Sequence, residues 1–142
     1  MNPRELKKLL LSHKFWYRGT TKKGKGQSLG YMGSGLYLTW DESAAQGFAY
    51  LAAKGKETNA LVLTYTIPNL RKLKIAEWHS PEIKKILISL GVTVYDKVDS
   101  PMFSRLLTAY AKDKGFDGIV HSWDPYYGMA LFSPEEAQLE DI

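Results

Sequence analysis

The chain has 142 residues, no cysteine, 44% hydrophobic residues and a formal net charge of +4. That length suits one domain over 1–142 that buries its own core, and the lack of thiols excludes a disulfide framework or a thiolate metal site. No apolar run approaches the roughly 20 residues of a membrane span, and Lys7 and Lys8 interrupt any signal-peptide pattern, so the expectation is a cytoplasmic protein with no membrane partner.

In chain order, Asn2-Pro3-Arg4-Glu5 predicts a helix running to about Leu11, because Asn caps and Pro suits the first helical position. Phe15-Trp16-Tyr17-Arg18 reads as a strand stopped by Gly19, and 20–30 as a polar Gly/Lys loop. In Gly33-Ser34-Gly35-Leu36-Tyr37-Leu38-Thr39 the alternation predicts a strand over 36–39 with Tyr37 and Thr39 on one face. A helix follows from Asp41 to about Lys54, ended by Gly55, with Phe48 in its second or third turn.

Residues 61–67 are β-rich and change from continuously apolar to alternating, as a central strand does. A short strand is expected at 73–75. Ser80-Pro81-Glu82 opens a helix closed by Gly91, with Ile83, Ile86, Leu87 and Leu90 on one face. Ser100-Pro101 opens another, closed by Gly115, with Phe103, Leu106, Leu107 and Tyr110 on one face. Strands follow at 117–121 and 129–132. Ser133-Pro134-Glu135-Glu136 then opens a final turn, with Glu136 at the capping-box position. Helices and strands mix without regular βαβ alternation, so the fold class is α+β.

Charge is uneven. Residues 1–56 hold ten Lys/Arg against three Asp/Glu, and residues 57–142 hold nine against twelve. The basic half suits an anionic dinucleotide or a phosphate-bearing target. His13, His79 and His121 are scattered and offer no metal-ligand spacing, so no metal is expected. Lys23-Gly24-Lys25-Gly26-Gln27-Ser28 lacks P-loop spacing, and Gly30-Tyr31-Met32-Gly33-Ser34-Gly35 is not the Rossmann fingerprint.

Three segments in order, Arg18-Gly19-Thr20, Gly33-Ser34-Gly35-Leu36-Tyr37 with Ala45 and Phe48, and Gly115-Phe116-Asp117-Gly118-Ile119 with Phe132-Ser133-Pro134-Glu135, resemble the small bacterial and phage members of the ADP-ribosyltransferase family. The resemblance runs from about Phe15 to Glu136. It implies two small twisted sheets forming an NAD cleft with flanking helices, and mono-ADP-ribosyl transfer from NAD to a protein or nucleic-acid acceptor, with action inside a host cell. It implies that Arg18 contacts the ribose or a phosphate, that Gly19 backbone groups bind the nicotinamide carboxamide beside Thr20, and that Tyr37 and Phe48 sandwich the nicotinamide. Thr39 and Ser43 are candidate ribose-positioning hydroxyls, although Ser43 equally serves the helix start.

The family's catalytic glutamate falls four residues before Phe132, at Gly128, which has no carboxylate. Asp124 is the nearest acid and the substitute candidate, with a turn-forming Asp-Pro as its alternative reading. Arg18, Tyr37 and Asp124 are therefore the expected catalytic set. Two rival readings stand beside transfer: a binding module for NAD, ADP-ribose or a protein that has lost the acid, and a nucleic-acid binder using Lys22, Lys23 and Lys25 with Tyr31 and Trp40.

Overall fold

The computed structural model describes residues 2–21, 28–54, 59–96, 98, 100–123 and 128–140. Three helices begin as their Xaa-Pro signals dictate. Asn2 caps α1 (Pro3–Leu11), accepting from Glu5 N at 2.8 Å. Ser80 caps α3 (Pro81–Ser89), and Ser100 caps α4 (Pro101–Asp113). Gly91 and Gly115 follow α3 and α4 with φ of +78° and +87°, left-handed conformations that glycine adopts without a Cβ penalty. Helix α2 (Glu42–Ala52) is capped by Asp41, whose carboxylate accepts from Ser43 N and Ala44 N. The expected Gly55 stop lies outside the described residues.

Two sheets form, as the α+β reading requires. A three-stranded antiparallel sheet has the order β1 (Trp16–Thr21), β4 (Ala60–Thr66), β8 (Gln138–Leu139). A five-stranded sheet has the order β2 (Ser28–Gly30), β3 (Gly33–Leu38), β7 (Gly128–Leu131), β6 (Gly118–His121), β5 (Ile75–Glu77), and only its β5–β6 pair is parallel. Among the described residues the sheets are joined by one isolated bridge, Tyr17 to Thr39, with N···O distances of 2.7 and 2.9 Å in the two directions.

The five-stranded sheet is covered on both faces, which is why β6 is buried at every position. On one face Ala76, Ile119 and Ala130 meet α3 and α4 through Ile83, Ile86, Leu87, Phe103, Leu107 and Ala111, with Tyr37 partly buried among them. On the other, Leu36, Leu38, Ile75, Val120, Met129 and Leu131 meet Leu6 and Leu10 of α1 together with Trp16, Leu70 and Leu73. The alternation of β3 thus sends its leucines one way and Tyr37 the other.

Some local expectations shift. The first strand does not stop at Gly19 but stays paired with β4 through Thr21, so the predicted loop 20–30 contributes Thr20 and Thr21 to β1. It also contributes all of β2, because Gly30 and Gly33 close a two-residue hairpin around Tyr31-Met32. The strand expected at 73–75 moves to Ile75–Glu77, where a parallel register with β6 is available, and Leu70–Lys72 forms a 3-10 turn before it. Leu106 and Tyr110 are 40% and 45% exposed, so α4 is rotated from the predicted face. Ser104 and Thr108 point inward instead, and Ser34 N of the hairpin donates to Thr108 Oγ1 at 2.7 Å. The Ser133-Pro134 turn forms over Pro134–Glu136 without a side-chain capping bond. No described helix is long and apolar enough to cross a membrane.

Candidate functional site

The site is built where the two sheets meet and part. Tyr17 uses its N–H and C=O to bond Thr39, away from β4, and Thr64, opposite Tyr17 in the β1–β4 register, accepts from Glu140 N on the far side. Tyr17 and Thr64 are therefore a non-hydrogen-bonded pair, and two residues on, Gly19 and Val62 repeat that geometry. The Gly19 N–H and C=O consequently point to the open edge of β1, and no hydrogen bond reaches them from that side among the described residues. Continued along β3, the Tyr17–Thr39 register sets Gly19 opposite Tyr37, but pairing stops at the bridge and the strands separate. Beyond the bridge, Gly19 and Tyr37 lie on the facing edges of β1 and β3.

Gly19 also draws α2 inward. A Cβ at this position would stand 1.9 Å from Ala45 O and 2.6 Å from Ala49 N, the peptide nitrogen that follows Phe48. Only a glycine lets the helix backbone seat there. Gly19 thus stands between the free edge of β3, which carries Tyr37, and the α2 backbone, which carries Phe48. The Tyr37 hydroxyl donates to Gly33 O at 2.6 Å and accepts from Met32 N at 3.1 Å, so the hairpin holds its ring in place. Phe48 is 57% exposed and is not part of either core.

The remaining expected residues fall into distinct places. Arg18 lies on the β1 face opposite Gly19, half-buried, and burial pushes its guanidinium below the ordinary arginine value while the Tyr65 hydroxyl opposes the change. Thr20 and Thr39 are buried. Thr39 Oγ1 accepts from Asp41 N at 3.1 Å, which fixes the turn into α2. Ser43 is exposed, and Asp41, not Ser43, caps the helix. Asp124 lies outside the described residues, as do Lys22, Lys23 and Lys25. Tyr31 packs edge-on to Trp78 at 5.1 Å and Trp40 stacks on His13 at 4.9 Å, so neither ring stands free for a base to stack on.

Gly128 faces the same side of the sheet as Tyr37, because it is two residues from Ala130, the partner of Tyr37. Directly across the β6–β7 ladder from Gly128 is His121. Its Nδ1 is 2.9 Å from the Tyr31 hydroxyl, and its ring centroid is 5.0 Å from that of His79. His79 Nδ1 lies 3.0 Å from Glu77 Oε1, and the other carboxylate oxygen accepts from His79 N at 2.8 Å. Trp123 stacks on His79 with centroids 3.8 Å apart and planes 9° from parallel.

In the linear chain His79 and His121 are scattered and have no metal-ligand spacing. The local signals were Glu77-Trp78-His79 and His121-Ser122-Trp123, each at the end of a strand. The parallel β5–β6 register brings the two strand ends together. Among the described residues no group of three or more His, Cys, Asp or Glu is arranged to hold a metal ion. No known family, curated protein or solved structure matches the chain.

Proposed function

We propose that the chain is an ADP-ribosyltransferase-like domain that holds NAD between its sheets and transfers ADP-ribose to a macromolecular acceptor. The observation that carries this reading is the register from the Tyr17–Thr39 bridge, which sets the open edge of Gly19 against Tyr37. A strand edge offers one N–H and one C=O side by side, the complement of a primary carboxamide. The flanking rings of Tyr37 and Phe48 suit a flat cationic heterocycle between them, through stacking and cation–π attraction. Arg18, on the other face of the same strand, is a guanidinium suited to a ribose hydroxyl or phosphate.

In this mechanism the pocket stabilises the stretched glycosidic bond as positive charge grows on the ribose and neutral nicotinamide leaves. Gly128 supports a second reading, in which NAD is bound but transfer is slow, because no carboxylate stands at that position. Calorimetry with NAD and a nicotinamide-release assay on the same preparation test both. Binding with release supports transfer, binding without release supports the second reading, and no binding removes both.

A further inference from the structure

We propose that Glu77, His79 and Trp123 form the acceptor side of this site, with His79 as the general base that deprotonates the incoming nucleophile. The inference rests on the NAD-transfer reading above and adds what that reading lacks, a group that takes the acceptor's proton.

Glu77 is only 8% exposed, yet both its carboxylate oxygens are used, one by the His79 backbone N–H and one by the His79 ring. An ionised carboxylate only accepts, so His79 Nδ1 carries the proton and, in the neutral ring, Nε2 keeps the lone pair. Among the described residues nothing hydrogen-bonds Nε2. This is the orienting logic of a carboxylate–imidazole pair: the acid holds the tautomer and the ring angle, and the outer nitrogen does the chemistry. Core packing alone does not call for a buried acid aimed at a neighbouring imidazole, because desolvating a carboxylate is costly unless a polar partner compensates.

The position in the fold gives the pair its role. His79 is next to His121, which faces Gly128 across the ladder on the sheet side shared with Tyr37. Trp123 covers one face of the His79 ring and is itself 56% exposed, so it presents an apolar wall where an acceptor would enter.

The substrate class follows from the chemistry. A neutral nucleophile that must lose a proton, such as an alcohol or an amide nitrogen, needs this base, whereas a carboxylate acceptor does not. The acceptor oxygen or nitrogen bonds to the ribose anomeric carbon as the bond to nicotinamide breaks. The electron pair of that bond leaves with nicotinamide, and the acceptor proton passes to His79 Nε2 and then to solvent.

The test measures nicotinamide release from NAD by the full chain, with water as acceptor and then with sodium azide, an anionic nucleophile with no proton to lose. His79→Ala is expected to lower water-dependent release about 100-fold while leaving NAD affinity unchanged. Azide is expected to restore release by that variant and to yield an ADP-ribosyl azide. Glu77→Gln, which disturbs only the orientation of His79, should show a smaller loss with the same azide rescue. Should His79→Ala not fold, His79→Gln carries the same expectations. Unchanged release in the folded variant, or a loss that azide does not relieve, overturns the base assignment. So does a wild-type chain that binds NAD and releases no nicotinamide, although the binding reading then survives. A wild-type chain that does not bind NAD overturns the parent reading and this one with it.

Discussion

Gly19 sits so close to α2 that a Cβ there would lie 1.9 Å from the carbonyl oxygen of Ala45. The oxygen belongs to the α2 backbone and a Cβ is fixed by its own backbone, so no side-chain rotation relieves the contact. Gly19→Ala must push α2 off β1, and overpacking of this kind costs about 1–3 kcal/mol or more. The urea midpoint of the variant should fall accordingly. A midpoint equal to that of the wild type would show that α2 is not seated on Gly19.

Tyr37 and Phe48 separate stability from binding. Tyr37→Phe removes the hydroxyl that ties Gly33 and Met32, at a cost of about 1 kcal/mol, and Tyr37→Ala should weaken NAD binding at least about tenfold, or roughly 1.4 kcal/mol. Unchanged affinity in folded Tyr37→Ala removes that ring from the site.

Phe48→Ala changes an exposed ring and should leave stability within about 0.5 kcal/mol. Lost stacking should still weaken NAD binding by about 0.5–1.5 kcal/mol. The two measurements are calorimetry and thermal unfolding of one protein sample. A stability loss with intact affinity would assign Phe48 to packing.

Gly128→Glu places a carboxylate opposite His121, on the sheet face shared with Tyr37. Negative charge beside the developing ribosyl cation should raise the rate of nicotinamide release at least about tenfold. No gain in a folded variant that still binds NAD would mean that residue 128 does not face the anomeric carbon.

His13 offers a pH test away from the site. Burial depresses its folded value below 6.5, so the folded state binds fewer protons than the unfolded chain just below that pH. Its contribution is therefore full above 6.5 and is lost as pH falls through the depressed folded value. His13→Phe keeps an aromatic ring against Trp40 and should show a smaller loss of stability between pH 7.5 and 5.5 than the wild type. Equal losses in both proteins would refute a role for His13 protonation.

Much of this was legible in the linear chain. Capping signals marked α1, α3 and α4, and glycine stops closed α3 and α4, because a cap and its helix are neighbours in sequence. The two-faced alternation of β3 was legible for the same reason. Strand β2 and the boundaries of β5 were not, since each exists only through its partner, β3 in one case and β6 in the other. The inward turn of Ser104 and Thr108 on α4 likewise depends on the hairpin that Thr108 bonds.

The sequence by itself determined the α+β class and the helix starts, because these follow from local backbone preference and side-chain chemistry. Only the tertiary structure decided that Gly19 faces Tyr37 while seating the helix of Phe48, and that Glu77, His79, His121 and Trp123 gather at one sheet end. Such meetings depend on strand register between segments far apart in the chain, and hydrogen-bond pairing across that distance leaves no mark in local sequence.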